Sequence, residues 1–245
     1  MIFTDLTDND RRDIIDYVSG KTGFLRNVVE KDWWVTSVLR AIFSLPYADN
    51  VSFKGGTNLS KCWGLIQRMS EDIDIGISRE FLGFGGELSK NQISDKLRRA
   101  SCSFVRNIMR NDVENALVAQ GISPDAIIVT VQETKVSTVD PQTIYVAYKS
   151  LYEGNRYILP QVKIEVSGRS MTEPVSKVSV RSYISENLPK LTFQDNPVEV
   201  NAVIPQRTFL EKLFLLHEEF SKPDSEIRVE RMSRHLYDVY NIMQT

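Results

Sequence analysis

Cysteine, histidine and long apolar runs are scarce in this chain, and each scarcity excludes something. Among 245 residues the only cysteines are Cys62 and Cys102. They are far apart and lack CxxC or Cys/His neighbours, so neither a disulfide framework nor a zinc site is expected. His217 and His235 are the only histidines, too few for a histidine-rich metal cage, and each reads as a helix-face or buried residue. No stretch approaches the roughly 20 apolar residues that a membrane-spanning helix needs. The amino terminus, MIFTDLTDNDRRD, carries acids where a signal peptide needs a basic flank and an apolar run. The expectation is a cytoplasmic protein with no membrane partner. A charge excess is lacking too: 30 basic against 32 acidic residues leave a net charge of -2. Coating nucleic acid by bulk attraction is thereby excluded, and any nucleic-acid partner has to be held by a local groove. Internal repeats and low-complexity tracts are absent as well.

What remains is a globular composition, 42% hydrophobic and 25% charged, enough for one sizeable core or two smaller lobes. Between Asp8 and Leu45 the apolar residues recur at helical spacing with a break near Gly20 and Gly23, which predicts two helices. Of the adjacent Trp33 and Trp34, one is expected in the core and the other at its edge. From Asn50, VSFK reads as a short strand, GGT as a tight turn, and NLSKCWGLIQRM as a helix N-capped by Thr57 or Asn58. SEDIDIGIS follows as a strand. Its alternation puts Ile73, Ile75 and Ile77 on one face and Asp72, Asp74 and Gly76 on the other.

FLGFGGELSKNQ reads as a loop, and residues 93–120 as a helical insertion carrying Lys96, Arg98, Arg99, Arg106 and Arg110. Those arginines are either a track for RNA or, as is commoner, a solvated helix face. Beyond Pro124 four segments, AIIVTVQE, TIYVAYKSLY, YILPQVKIEVS and VSKVSVRSYI, read as strands of a mixed or antiparallel sheet. In QVKIEVS, Glu165 projects from the face opposite Val162, Ile164 and Val166, and would approach the aspartates if the two strands are neighbours. After Pro205 two helices return, RTFLEKLFLLHEEF and SEIRVERMSRHLYDVYNIMQ, split by SKPDS. The helical pattern is still running at Thr245 without a C-cap signal, so a longer natural chain or a frayed last helix is expected.

Two aspartates at i and i+2 on one strand face suit a magnesium ion, which takes hard oxygen ligands from a few carboxylates and from substrate phosphates. A glycine turn between strand and helix can bring backbone N–H groups, a hydroxyl and a helix start to a triphosphate, here through Gly55, Gly56 and Thr57. Taken alone, DxD is more often a solvated strand face and GG more often just a turn. Their succession, with a later strand acid, favours nucleotidyl transfer. Lys54 could reach a phosphate or be a solvated strand-end charge. Arg207 and Arg234 could grip phosphates or pair with nearby glutamates.

The order strand, GG-T, helix, then a DxD strand resembles the polymerase-β-type nucleotidyltransferase palm. FKGGTNLSK, RMSEDIDIGIS, RTFLEKLFLLH and RHLYDVY, in that order, resemble the motifs of the AbiEii/AbiGii toxin family, which includes the MenT-type nucleotidyltransferases. EKDWWVTSVLRAIF resembles the helix before that family's glycine turn, so the likeness runs from about Glu30 onward.

The resemblance implies an α+β fold: a polymerase-β-like palm with a mixed sheet over residues 1–204, flanked by N-terminal helices, followed by a C-terminal helical region over 205–245. It further implies that Gly56 and Thr57 touch the triphosphate and that Asp72 and Asp74 hold Mg2+; Gly55 and Lys54 stand beside them as candidate phosphate contacts, and Glu165 is either the third strand carboxylate that palm enzymes often carry or a surface glutamate. Lys212 offsets phosphate charge, and Asp238 positions or activates the acceptor. Threonine stands where many members have serine, which keeps the hydroxyl. The implied activity is transfer of NMP from an NTP to RNA, with the tRNA 3′ end as acceptor, by a toxin that has a cognate antitoxin. A protein-nucleotidylating toxin and a non-catalytic nucleotide-binding regulator are the alternatives. Lys212 and Asp238 can share one cleft only if the last two helices fold back over the sheet.

Overall fold

The computed structural model describes all residues except 135, 137, 154–157, 170–172, 189, 191 and 229–231. Seven strands form one mixed sheet: β1 (Val51–Lys54), β2 (Ile73–Ile77), β3 (Ile127–Val131), β4 (Gln142–Tyr148), β5 (Gln161–Ser167), β6 (Val175–Val180) and β7 (Val198–Val203), in the order β3-β4-β5-β2-β1-β7-β6. The β2/β5 and β1/β7 pairs are parallel and the rest antiparallel. The fold is thus α+β, as expected.

Period-2 alternation gives the sheet two unlike faces. Phe53, Ile73, Ile75, Ile77, Ile144, Ile164 and Val200 are buried in one continuous core with α1 (Asp8–Thr22) and α2 (Arg26–Phe43). Lys54, Asp74 and Glu165 occupy the opposite face in register: Lys54 pairs with Asp74 across β1/β2, and Asp74 with Glu165 across β2/β5. Local chemistry sets the α1 boundaries. The Thr7 hydroxyl accepts from the Asp10 N–H, and Gly23 closes the helix at φ 76, where a glycine meets no Cβ penalty.

Several boundaries differ from the sequence expectation. The helix after β1 is α3 (Gly55–Lys61), which begins at the first glycine with Lys54 as N-cap and ends by Cys62. The GG pair is therefore the first helical turn rather than a turn before it. The predicted run to Met69 fails because Gly64 is left-handed at φ 63 and the chain turns back, the Leu65 N–H bonding the Leu59 carbonyl. Trp63 adds a tether, its indole N–H donating to the Val203 carbonyl at 3.1 Å. Both Trp33 and Trp34 lie in the core at 2% exposure, because Trp34 stacks on Tyr148 at 4.7 Å instead of marking an edge.

VSKVSVRSYI is strand only to Val180. Ser182 then caps the short helix α6 (Tyr183–Asn187) by accepting from the Ser185 N–H. The seventh strand, β7, was not anticipated, although Val198, Val200 and Ala202 alternate with Glu199 and Asn201. The expected strand YILPQVKIEVS begins at Gln161, its Tyr157 lying outside the described residues.

Residues 92–119 form a helical run of two π-type stretches alternating with α4 (Arg98–Phe104) and α5 (Arg110–Ala119). Val105, Met109, Val113 and Leu117 on this run are fully buried in the main core. Its arginines are largely committed within the chain: Arg98 to the Thr138 carbonyl, Arg106 to Gln142 and Thr134, Arg110 to the Val129 carbonyl. The last two helices, α7 (Pro205–Phe220) and α8 (Met232–Met243), share an apolar seam of Leu216, Met232 and Val239. Leu59, Ile66 and Ile242 attach that pair to α3 and the segment after it. Residues 229–231 of the longer predicted helix lie outside the described residues. No helix among the described residues is long and apolar enough to cross a membrane.

Candidate active site

The polar sheet face, the start of α3 and the inner faces of α7 and α8 enclose a cavity of about 250 Å³. Its walls include Lys54, Gly55, Gly56, Arg68, Asp72, Asp74, Glu165, Lys212 and His235. Residues from five separate segments converge here, and the fold-back of α7 and α8 required by the sequence is present. A roomier cleft of about 660 Å³ lies between α2, α6 and the segment 66–71. Phe24, Leu25, Val28, Val35, Ile66 and Ile158 give it an apolar lining, and it contains none of the DxD carboxylates.

Asp74 is the centre of the smaller cavity. Burial pushes its carboxyl up to about 7, with the negative charge of Glu165 adding to the effect and Lys54 opposing it. Asp74 and Glu165 also share a hydrogen bond. A carboxyl group held out of water beside a second negative charge keeps its proton to higher pH. Glu165 has its own cation, Lys163, at 2.6 Å. Asp72 sits one residue before β2, half-buried, on the same cavity wall.

The two glycines are explained by what a methyl group would strike. At Gly55 a Cβ would lie 1.9 Å from Asp74 Oδ2, and φ there is +77. The residue is thus glycine on both steric and conformational grounds. At Gly56 a Cβ would lie 2.7 Å from Ser70 Oγ and 2.9 Å from Arg68 Nη2. The glycines let an aspartate and an arginine lie directly against the α3 backbone.

Thr57 is placed differently from the phosphate contact the sequence suggested. Its side chain is buried, and its hydroxyl donates to the Asp72 carbonyl at 2.5 Å, 3.0 Å from Ser70 Oγ. In this position it fixes the entry to β2 and hence the carboxylate spacing. Lys54 lies at the cavity edge, 3.7 Å from Glu211.

Asp238, fully buried, receives two hydrogen bonds from Arg68, at 2.7 and 2.6 Å, and an ion-pair contact from Lys212 at 2.8 Å. Burial raises its pKa, but the Arg68 and Lys212 donors outweigh burial and hold it below the usual carboxylate range. Lys212 also donates to His235 Nδ1 at 3.4 Å. Burial, then the Lys212 charge, bring His235 down to about 4, so it is neutral near pH 7 and serves Lys212 as an acceptor.

Sequence reasoning brought Asp72, Asp74, Glu165, Gly55, Gly56, Lys54, Lys212 and Asp238 forward, and the structure gathers all but Asp238 onto the wall, with Asp238 directly behind it. It missed Arg68, Ser70 and His235. The fork of Arg68 against Asp238 spans 170 residues, and the only local signal was that Arg68 opens the RMSEDID segment. Arg234 lines the cavity and Arg207 lies near Glu211, 3.4 Å away.

The donor set fits a divalent ion. Among the described residues no three Asp, Glu, His or Cys side chains converge as a ready-made chelate. Magnesium nevertheless binds through one or two carboxylates and completes its shell with substrate phosphates and water. The raised pKa of Asp74 marks a crowding of negative charge that a cation would relieve.

No curated protein matches the chain. Among solved structures, MenT4, a nucleotidyltransferase toxin from Mycobacterium tuberculosis H37Rv, is similar at 16% identity and a TM-score of 0.47, with 85% of this chain and 58% of that chain covered. The chain therefore spans little more than half the length of that toxin. A profile of the nucleotidyl transferase AbiEii toxins of type IV toxin–antitoxin systems matches residues 37–245, so the sequence from the middle of α2 to the last residue carries the family pattern, and the chain belongs to this family.

Proposed function

We propose that the protein is a magnesium-dependent nucleotidyltransferase that moves NMP from an NTP to an RNA acceptor, with the 3′ end of tRNA as the favoured acceptor, and acts as a toxin restrained by a cognate antitoxin. One observation carries this reading: the half-buried Asp74–Glu165 pair meets the Gly55–Gly56 backbone and the Arg68–Lys212 cations around a single cavity. Family membership supports the toxin role and the antitoxin.

Nucleotidyl transfer forms a bond between an acceptor hydroxyl oxygen and the α-phosphorus, breaks the bond from that phosphorus to the β-phosphate oxygen, and releases pyrophosphate. Arg68 and Lys212 offset the charge of the leaving phosphates, and Gly55 and Gly56 allow those phosphates to approach the start of α3. Asp238 holds both cations in place; with cationic donors on both its oxygens it is a positioning residue and not the base. The acceptor proton goes to the carboxylate wall. Asp72 and Asp74, with Glu165 beside them, would hold the metal ion, which when bound neutralises charge building up on the phosphates.

The test is transfer from each of four labelled NTPs, with magnesium, to purified tRNA, total RNA and total protein. Label in tRNA that is abolished in Asp74→Ala supports the proposal. Label that persists in that variant removes the carboxylates from the mechanism, and label confined to protein identifies a protein-nucleotidylating toxin instead.

A further inference from the structure

The acids of the carboxylate wall share their sheet face with a lysine. Ile73 pairs with Ile164 and Asp74 with Glu165 across the parallel β2/β5 ladder, so one step back in the same register Asp72 stands beside Lys163. Alternation puts Asp72, Asp74, Lys163 and Glu165 on one face. They form a block two strands wide in which three members are acids and the fourth is a cation. Lys54, the partner of Asp74 on β1, flanks the block from the other side.

Lys163 Nζ lies 2.6 Å from Glu165 Oε1, and both side chains are half-buried. Burial works against the ammonium charge, but the Glu165 hydrogen bond and the charges of Glu165 and Asp72 outweigh burial and raise the Lys163 pKa. Lys163 is therefore a fixed positive charge that answers to two of the three acids. Glu165 is held from both sides, by its hydrogen bond with Asp74 and by the ammonium. An exposed ion pair on a strand contributes little to stability. This one matters for another reason: it occupies an oxygen of a carboxylate that would otherwise be open to a metal ion.

Transfer at phosphorus is often run by two divalent ions about 3.5–4 Å apart, and three neighbouring carboxylates could serve such a pair. Here a tethered ammonium already neutralises one oxygen of Glu165. A second dication beside Glu165 would stand within a few ångströms of that positive charge, and like charges that close repel strongly outside bulk water. We propose that Lys163 stands in for a second divalent ion, so that the wall holds one ion, at Asp72 and Asp74, and the ammonium supplies the remaining positive charge through Glu165. This rests on the nucleotidyl-transfer reading of the cleft. Lys163 touches Glu165 and not the reacting atoms, so it is a positioning residue: it fixes Glu165 against Asp74 and keeps the third carboxylate from recruiting metal.

Counting bound Mn2+ tests this without turnover. The full chain, with an equimolar non-hydrolysable NTP analogue, is titrated with Mn2+, and the free ion is read by electron paramagnetic resonance. The unaltered protein is expected to bind about one Mn2+ per chain. Lys163→Met keeps the apolar stem and removes the charge, which opens the second position: the count rises to about two, with the broadened signal of a close ion pair. Lys163→Arg returns the count to about one, a rescue by charge that a packing role would not give. Two ions on the unaltered chain overturn the proposal, and that count needs no variant to fold. A count that stays at one in Lys163→Met overturns it too. Label transfer to RNA by a chain that binds two ions would keep the transfer reading and remove only the role of Lys163. A count that rises from one to two on a chain that transfers no label would keep the role of Lys163 and sink the transfer reading.

Discussion

Asp74 on β2 and Glu165 on β5 are direct partners in a parallel strand pair, and they share a hydrogen bond on the wall of the candidate cavity. Parallel pairing of two strands that lie about ninety residues apart in sequence sets the two acids side by side. Their proximity, together with burial, is the source of the raised Asp74 pKa and of the pH behaviour expected for this protein.

Asp74 has a folded-state pKa near 7 against an ordinary value of 3.8. Between these values the folded state holds a proton that the unfolded chain has lost, so this group's contribution to stability falls as pH rises from about 4 to about 7. A cation binding there displaces the proton. Magnesium affinity is therefore expected to rise as pH increases toward 7 and to level off above it, by at most about tenfold per unit for one displaced proton. Calorimetric titration at pH 6, 7 and 8 reads this directly. Affinity independent of pH over that range would show that Asp74 does not hold the ion.

His235 contributes a slope of opposite sign. Its folded pKa near 4 lies below the ordinary 6.5, so as pH falls through that interval the unfolded chain takes a proton that the folded state refuses. Stability contributed by a neutral His235 is present above pH 6.5 and lost toward pH 4. His235→Gln should flatten this acid-side loss in thermal melts collected between pH 4.5 and 7. The shape of the activity profile from pH 6 to 8 should not change, since the imidazole does not titrate there.

Gly55→Ala is expected to abolish transfer. Its methyl would overlap Asp74 Oδ2 at 1.9 Å, and the φ of +77 adds about 1–2 kcal/mol of backbone strain. Urea unfolding should show the stability loss and magnesium titration a weakened site. An alanine variant with unaltered metal affinity would mean that the carboxylate does not lie where the α3 backbone confines it.

Asp238→Ala leaves the Arg68 and Lys212 charges facing each other without their shared counterion. Removing one member of a buried ion cluster costs about 3–5 kcal/mol, and in a chain of this size each kcal/mol lowers Tm by about 2–4 °C. Transfer should fall sharply. Arg68→Lys is the milder companion: it keeps the charge but loses the two-pronged contact to Asp238, so transfer should drop with little change in Tm. Loss of the same size in both variants would argue against a positioning role for the fork.

A buried pair that does not line the candidate cavity gives a purely structural expectation. Asp32 on α2 pairs with Lys61 on α3 and accepts from the Tyr183 N–H, and both side chains are under 10% exposed. Asp32→Ala strands Lys61 and should cost about 3–5 kcal/mol in urea unfolding. Magnesium affinity measured on the folded fraction should be preserved.

Much of the architecture was legible because local patterns suffice where one face of an element is buried. Alternation at Ile73, Ile75 and Ile77 and at Val162, Ile164 and Val166 named two strands and the faces of Asp74 and Glu165. Helical spacing named α1, α2 and α7. The failures occurred where a long-range contact overrides local preference: Gly64 and the Trp63 tether cut α3 short, and stacking on Tyr148 draws Trp34 inward. The missed β7 had readable alternation, but its position between β1 and β6 depends on pairings across the sheet.

The sequence by itself determined which residue types could meet a phosphate and a divalent ion: a glycine pair, a DxD, a helix lysine and a late aspartate, in family order. Only the tertiary structure decided their partners. Strand register joined Asp74 to Glu165, and the return of α8 over the sheet joined Asp238 to Arg68. Side-chain identity is a property of each position, but the field at a carboxylate is the sum over neighbours that only folding assembles.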